Sequence, residues 1–161
     1  MGEMPARWPP EFAKRATENL DLVLNSGTND VTQTLLTLYA LVVVPDEKDV
    51  FATVDDMDQA QLEADGWPLD GWAWAYVSQR KNTAWIDPHQ MKSLLRMLRN
   101  ALAHGHLEFE SANGKVEAIR FKHKRGANHI EGRWTAAEAV VACRKILTLI
   151  GSTTVGGQST P

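Results

Sequence analysis

Arg99, Asn100 and His104 are the residues whose types and spacing are best suited to chemistry. Asn100 and His104 stand four residues apart, so they meet on one side of a helix. With Leu98 at zero, they fall at about 200° and 240° on the helical wheel, and Arg99 falls at about 100°. Met91, Leu94, Leu95 and Leu102 lie within about 60° of Leu98 and form a core-facing stripe. His104 precedes a helix stop, where the negative end of the helix dipole favours a cationic ring. Such a ring suits a general acid, or a histidine that binds phosphate. The plainer alternative is a capping histidine among surface arginines. No acidic residue occurs from 88 to 106, whereas Lys92, Arg96 and Arg99 all do; an ordinary surface helix mixes the signs.

Other reactive side chains carry weaker signals. His104, His106, His123 and His129 would make a zinc site if the chain folded back near the helix end. A His-x-His pair with no cysteine is a weak metal signal, and no metal and no cofactor are expected. The run Asp55, Asp56, Met57, Asp58 lacks the glycine and closing glutamate of a calcium loop. Residues 46–66 hold eight acids and one lysine, and a solvated acidic face is expected there. Cys143 is the only cysteine, which excludes an internal disulfide. It falls in an apolar helix stripe and is expected to be an inert core thiol.

Four of the six tryptophans lie in residues 67–86. Trp72, Trp74 and Tyr76 alternate like a strand, while Trp72, Tyr76 and Arg80 also fit a helix, and period alone does not separate the two. Aromatics beside Arg80 and Lys81 could stack on unpaired bases. Tryptophans at this density more often fill a core or an interface, and packing is the expectation.

A chain of 161 residues, 43% apolar, is expected to form one domain. No apolar run is long enough to span a membrane. Residues 1–7 lack the layout of a secretion signal, so a cytoplasmic protein is expected. Residues 1–79 carry a net charge of −10 and residues 80–161 carry +7. That division fits an anion-binding face, for which RNA is a candidate, or two halves that neutralise each other in the fold.

The positioning elements follow from spacing. Residues 1–9 read as loose, 10–151 as a single domain and 152–161 as a disordered tail. A first helix from Glu11 has Phe12, Ala16, Leu20 and Leu24 on one face, with Gly27 as its stop. Asn29 or Asp30 caps a second helix, with Val31, Leu35, Leu38 and Val42 on one side and Pro45 ending it. Val50, Phe51, Val54, Met57 and Leu62 are compatible with one short amphipathic helix. Asp87 as cap, Pro88 as first residue and Gln90 as third open the motif helix, and Gly105 closes it. Strands are expected over 107–111, 116–124 and 129–134, with Asn113-Gly114 turning the first hairpin. Ile119 and Phe121 face one way, and Arg120, Lys122 and Lys124 the other. Thr135 and Glu138 form a capping box for a last helix with the stripe Val140, Cys143, Leu147 and Ile150.

The stretch Leu98-Arg99-Asn100-Ala101-Leu102-Ala103-His104-Gly105 resembles the signature of HEPN domains: Arg, a polar residue, three others, then His near a helix end. The resemblance implies a mainly α fold, a HEPN-like helical bundle, here with a small antiparallel hairpin or three-strand insert before the last helix. It implies a homodimer acting as a metal-independent endoribonuclease in a toxin–antitoxin, antiphage or RNA-processing role. A cognate antitoxin or regulatory protein is then a possible partner. Other members keep the fold as non-catalytic modules that bind RNA, nucleotides or proteins. Arg99 and His104 would be catalytic and Asn100 the orienting residue, with Arg96, Lys92, His106, Arg80 and Lys81 as weaker RNA-binding candidates. RNA can be cut without metal when its own 2′-hydroxyl attacks the adjacent phosphate, with histidine moving protons and arginine stabilising the extra charge. One histidine does not easily serve as both base and acid, and a symmetric dimer supplies a second copy of the motif. In members regulated by a nucleotidyltransferase antitoxin, a tyrosine stands two residues after the motif histidine; here that position is His106, so that route is not expected.

Overall fold

The computed structural model describes residues 8–25, 31–47, 50–77 and 89–152. The elements run in the order α1 (Trp8–Asn25), α2 (Val31–Glu47), a 3₁₀ turn (Val50–Thr53), α3 (Gln59–Ala64), β1 (Ala73–Ala75), α4 (Met91–His104), β2 (Leu107–Ala112), β3 (Lys115–Arg125), β4 (Asn128–Thr135) and α5 (Ala136–Ser152). The four strands form one antiparallel sheet in the order β1-β4-β3-β2. No helix among the described residues is long and apolar enough to cross a membrane.

The sheet corrects the expectation of a mainly α bundle with a three-strand insert; the fold is mixed α/β. Its three hairpin strands lie close to where spacing puts them, but β1 adds an edge from far upstream, pairing Trp74 with Ile130. Three residues are too few to show a period, which is why this strand could not be told from a helix. The sheet is also a layer of the core rather than an appendage. Ile119, Phe121, Ile130 and Trp134 are all fully buried on one face, beneath α4 and α5. Arg120, Lys122, Lys124 and Arg133 stand exposed on the other, as alternation requires. Asn113 and Gly114 both take positive φ, 54° and 75°, and close the β2–β3 hairpin.

The helices pack as their stripes direct. α5 buries Ala139, Ala142, Cys143, Ile146, Leu147 and Ile150 against α1, α2 and the sheet. Its capping box is formed: the Glu138 N–H donates to Thr135 Oγ1 at 3.2 Å, and the Thr135 N–H donates to Glu138 Oε2 at 2.7 Å. Burial pushes the Cys143 thiol up to about 12, so it stays protonated and unreactive. α2 buries Leu38, Leu41 and Val42 and touches both α4 and α5. It runs on to Glu47, past the proline expected to end it; a proline withdraws one N–H from the ladder, a small loss in a final turn. The short helix expected across 50–62 divides instead into the 3₁₀ turn and α3. Asp58 caps α3 with a reciprocal bond to Gln61, which starts the helix afresh.

Residues 8 and 9, expected to be loose, open α1, and Ser152, expected in the tail, closes α5. The rest of those two terminal stretches lies outside the described residues, as do Gly27, Asn29, Asp30, Asp87 and Pro88.

Four tryptophans fill the core among the described residues. Trp67, Trp72, Trp74 and Trp134 are buried, and each indole N–H finds an acceptor: Asp65 Oδ2, then the carbonyls of Arg133, Gln90 and Pro68. Trp72 lies 4.5 Å from Trp134 and 5.4 Å from Phe121, centroid to centroid. Its ring covers Gly132 so closely that a Cβ there would overlap the indole. Gly132→Ala would normally help a strand by restricting the unfolded chain. Here the overlap dominates, and urea denaturation should show a loss of about 2–3 kcal/mol. An unchanged or raised midpoint would mean that Trp72 does not press on this strand.

Candidate functional site

α4 presents the Arg-Asn-x-x-x-His motif and is buried around more of its circumference than its leucine stripe requires. Met91, Ser93, Leu94, Leu95, Met97, Leu98, Ala101 and Leu102 are all buried. The excess arises because α2 covers the helix on one side while β1, β3 and β4 support it on another. Only a narrow strip remains, holding Lys92, Arg96, Arg99, Asn100, Ala103 and His104.

Both ends of α4 are fixed. It starts at Met91, later than the Asp87-Pro88-His89-Gln90 sequence suggests, with Gln90 at the cap position making no side-chain capping bond. The acidic loop takes over this task. The Met91 N–H donates to the Met57 carbonyl at 2.8 Å, and the Lys92 N–H donates to Asp56 Oδ1 at 3.0 Å. A carboxylate is favoured here by the positive end of the helix dipole. At the other end Gly105 takes φ 67°, and its N–H and that of His106 return to the carbonyls of Leu102 and Ala101. This double closure is what a left-handed glycine permits.

The motif side chains lie at the closed end. Arg99 and Asn100 are half-buried and His104 is exposed. Arg99 Nη1 donates to Asn100 Oδ1 at 3.2 Å. Two further imidazoles join them. The His104 and His106 ring centroids are 6.1 Å apart. His106 and His123 stack at 4.2 Å with only 22° between their planes. Desolvation, then the charges of His106, His104 and Arg125, hold the His123 ring below the usual histidine range. His129 is not part of the cluster: it pairs with Lys124 and Ala75 within the sheet. Rings stacked face to face direct their in-plane lone pairs along parallel planes, not toward one ion. Among the described residues no group of three or more His, Cys, Asp or Glu could hold a metal.

The other basic candidates are used differently. Lys92 Nζ donates to the Ala52 carbonyl at 3.3 Å. The Arg96 guanidinium lies 5.9 Å from the centroid of the Tyr76 ring, a cation–π contact. Arg80 and Lys81 lie outside the described residues. On the outer sheet face Glu110 takes Arg120 at 2.9 Å and Arg133 at 2.6 Å. The Arg133 hydrogen bond is the main cause of the lowered Glu110 pKa. Arg144 meets Asp21 at 2.7 Å and Lys145 meets Asp65 at 3.2 Å. The last two pairs join the acidic first half of the chain to its basic second half. The sequence reading missed Asp56 and Tyr76. Asp56 carries no local cap signal for a helix 35 residues away, while the alternation beyond Ile119 and Phe121 does place His123 on the face toward α4.

The Arg-Asn-x-x-x-His motif is thus held at the C-terminal end of a packed helix. The chain matches the family model described as HEPN pEK499 p136 over residues 5–150, and it belongs to that family. Neither the curated proteins nor the solved structures gave a match. Membership points to a nuclease or a nucleotide-binding module, and HEPN domains often bind RNA and dimerise.

The cap on α4 is open to test. Asp56→Ala should cost about 1 kcal/mol in urea denaturation and speed hydrogen exchange at the Lys92 amide, while Asp56→Asn retains most of the stability. Unaltered exchange in Asp56→Ala would show that the carboxylate does not hold this helix end.

Proposed function

We propose that the protein is a metal-independent endoribonuclease that acts as a homodimer, with Arg99, Asn100 and His104 at its catalytic centre. The observation that carries this reading is the Arg-Asn-x-x-x-His motif in a chain of this family, with half-buried Arg99 and Asn100 and exposed His104 on the side of α4 away from its buried stripe. The Asn100 carboxamide, bonded to Arg99, orients the guanidinium. The arginine fork neutralises charge on a pentacoordinate phosphate as the 2′-oxygen attacks. His104, exposed at the helix end, moves a proton in the same step. Leu36 and Tyr39, one turn apart on α2, are 58% and 43% exposed and offer apolar surface to a second copy. A role in toxin–antitoxin, antiphage or RNA-processing systems, in a cytoplasmic setting and with a cognate regulatory protein, fits such an enzyme.

Mixed RNAs incubated with the protein in EDTA should be cut to fragments ending in a 2′,3′-cyclic phosphate. His104→Ala and Arg99→Ala should each lose at least about 100-fold in rate, with thermal unfolding midpoints near wild type. A 2′-deoxy substitution at the cut position should block cleavage. Binding of RNA without cleavage by the wild type would reduce the protein to a binding module, and full activity in both variants would remove Arg99 and His104 from the catalytic centre.

A further inference from the structure

The end of α4 gathers His104, His106 and His123, although the motif accounts for His104 alone. The backbone fixes this gathering. Gly105 turns the chain sharply, and the His106 N–H is tied to the Ala101 carbonyl at 2.9 Å. The His106 carbonyl accepts the Lys122 N–H at 3.4 Å, which anchors it to the strand that carries His123. His123 follows Ile119 and Phe121 on the inward face of β3 and is half-buried.

We infer that His106 is a second proton-transfer residue of the RNA-cutting site, beside His104, and that His123 is the residue that positions it. The inference rests on the nuclease reading and deepens it, because the second imidazole then comes from the same subunit as the first. The two rings, 6.1 Å apart centroid to centroid and tilted by 49°, stand side by side, so that a ring nitrogen of each can reach one of the two apical oxygens of a single phosphate. In the step itself, neutral His106 takes the proton of the 2′-hydroxyl as the O2′–P bond forms. The P–O5′ bond breaks, and the imidazolium of His104 gives its proton to the departing O5′. The products are a 2′,3′-cyclic phosphate and a 5′-hydroxyl, and exchange with water resets the two rings.

The stack explains why His123 is needed. Two imidazolium rings face to face would repel, so at most one of the pair carries a charge comfortably. Burial, with His106, His104 and Arg125 nearby, keeps His123 the neutral member. When His106 accepts a proton, its cation forms against the face of a neutral aromatic ring, which stabilises it. A ring face is what this role requires, and the nitrogen atoms of His123 are not.

The experiment uses the full chain and two substrates, an RNA and uridine 3′-(p-nitrophenyl phosphate), whose leaving group needs no proton. His106→Ala and His106→Gln should lose about 100-fold on both substrates. His104→Ala should fail on RNA and recover most of its rate on the nitrophenyl ester. His123→Ala should lose about tenfold in kcat with KM unchanged, and His123→Phe, which keeps the stacking face, should retain the wild-type rate. Thermal unfolding of each variant separates these effects from loss of fold. Full activity in a folded His106 variant would overturn the inference and assign the second imidazole to the other copy in a dimer. Equal impairment in His123→Phe and His123→Ala would overturn the positioning role. A wild type that cuts neither substrate would remove the nuclease reading itself, a result distinct from both.

Discussion

Burial of α4 between α2 and the sheet is the constraint on which the rest of the structure depends. A helix that buries Ser93, Met97 and Ala101 as well as its leucine stripe has almost no freedom to rotate. Any rotation would drag apolar groups toward water at about 25 cal/mol per Å², and would place the arginines against the core. The motif residues therefore occupy one direction in space, set by the packing behind them. The two ends remove the remaining freedom to slide, since loop 54–58 holds the first amides and Gly105 the last carbonyls.

The support beneath α4 is aromatic and tightly fitted. Trp72, Phe121 and Trp134 touch one another at 4.5–5.4 Å, and the absence of a side chain at Gly132 lets the first of them lie flat on β4. Bulky rings with two rotatable bonds lose little entropy when they are fixed, and the indole N–H groups of Trp72 and Trp134 are both bonded. Such a floor is stiff. A stiff floor matters for chemistry because small displacements of reacting groups are costly to rate. The tryptophan-rich stretch thus serves the site by shaping what lies under it.

Charge is arranged on the same plan. The acidic first half supplies Asp56 to the start of α4, and Asp21 and Asp65 to α5. The basic second half is partly neutralised on the outer sheet by Glu110. What remains at the end of α4 is a small group of imidazoles, with the charge of Arg125 acting on His123 and no carboxylate on the helix itself. An environment of that kind favours an anion over a cation as its visitor. It also explains how closely placed histidines coexist, since the stacked pair can leave one ring uncharged.

Local information sufficed for what is local. The glycine stop after His104, the Thr135–Glu138 capping box and the Asn113-Gly114 turn were legible because each acts through neighbours within a few residues. The alternation of β3 and the face shared by Asn100 and His104 follow from periods of 2 and 3.6. The motif, and through it the HEPN family, was legible in the same way. Tertiary structure decided the rest. It made the sheet a core layer by bringing β1 to β4, and it moved the start of α4 to Met91 by supplying a cap from Asp56 and Met57. It also carried His123 to His106. Each of these contacts joins segments distant in the chain, where propensity and spacing carry no signal and only the shared burial of apolar surface selects the partner.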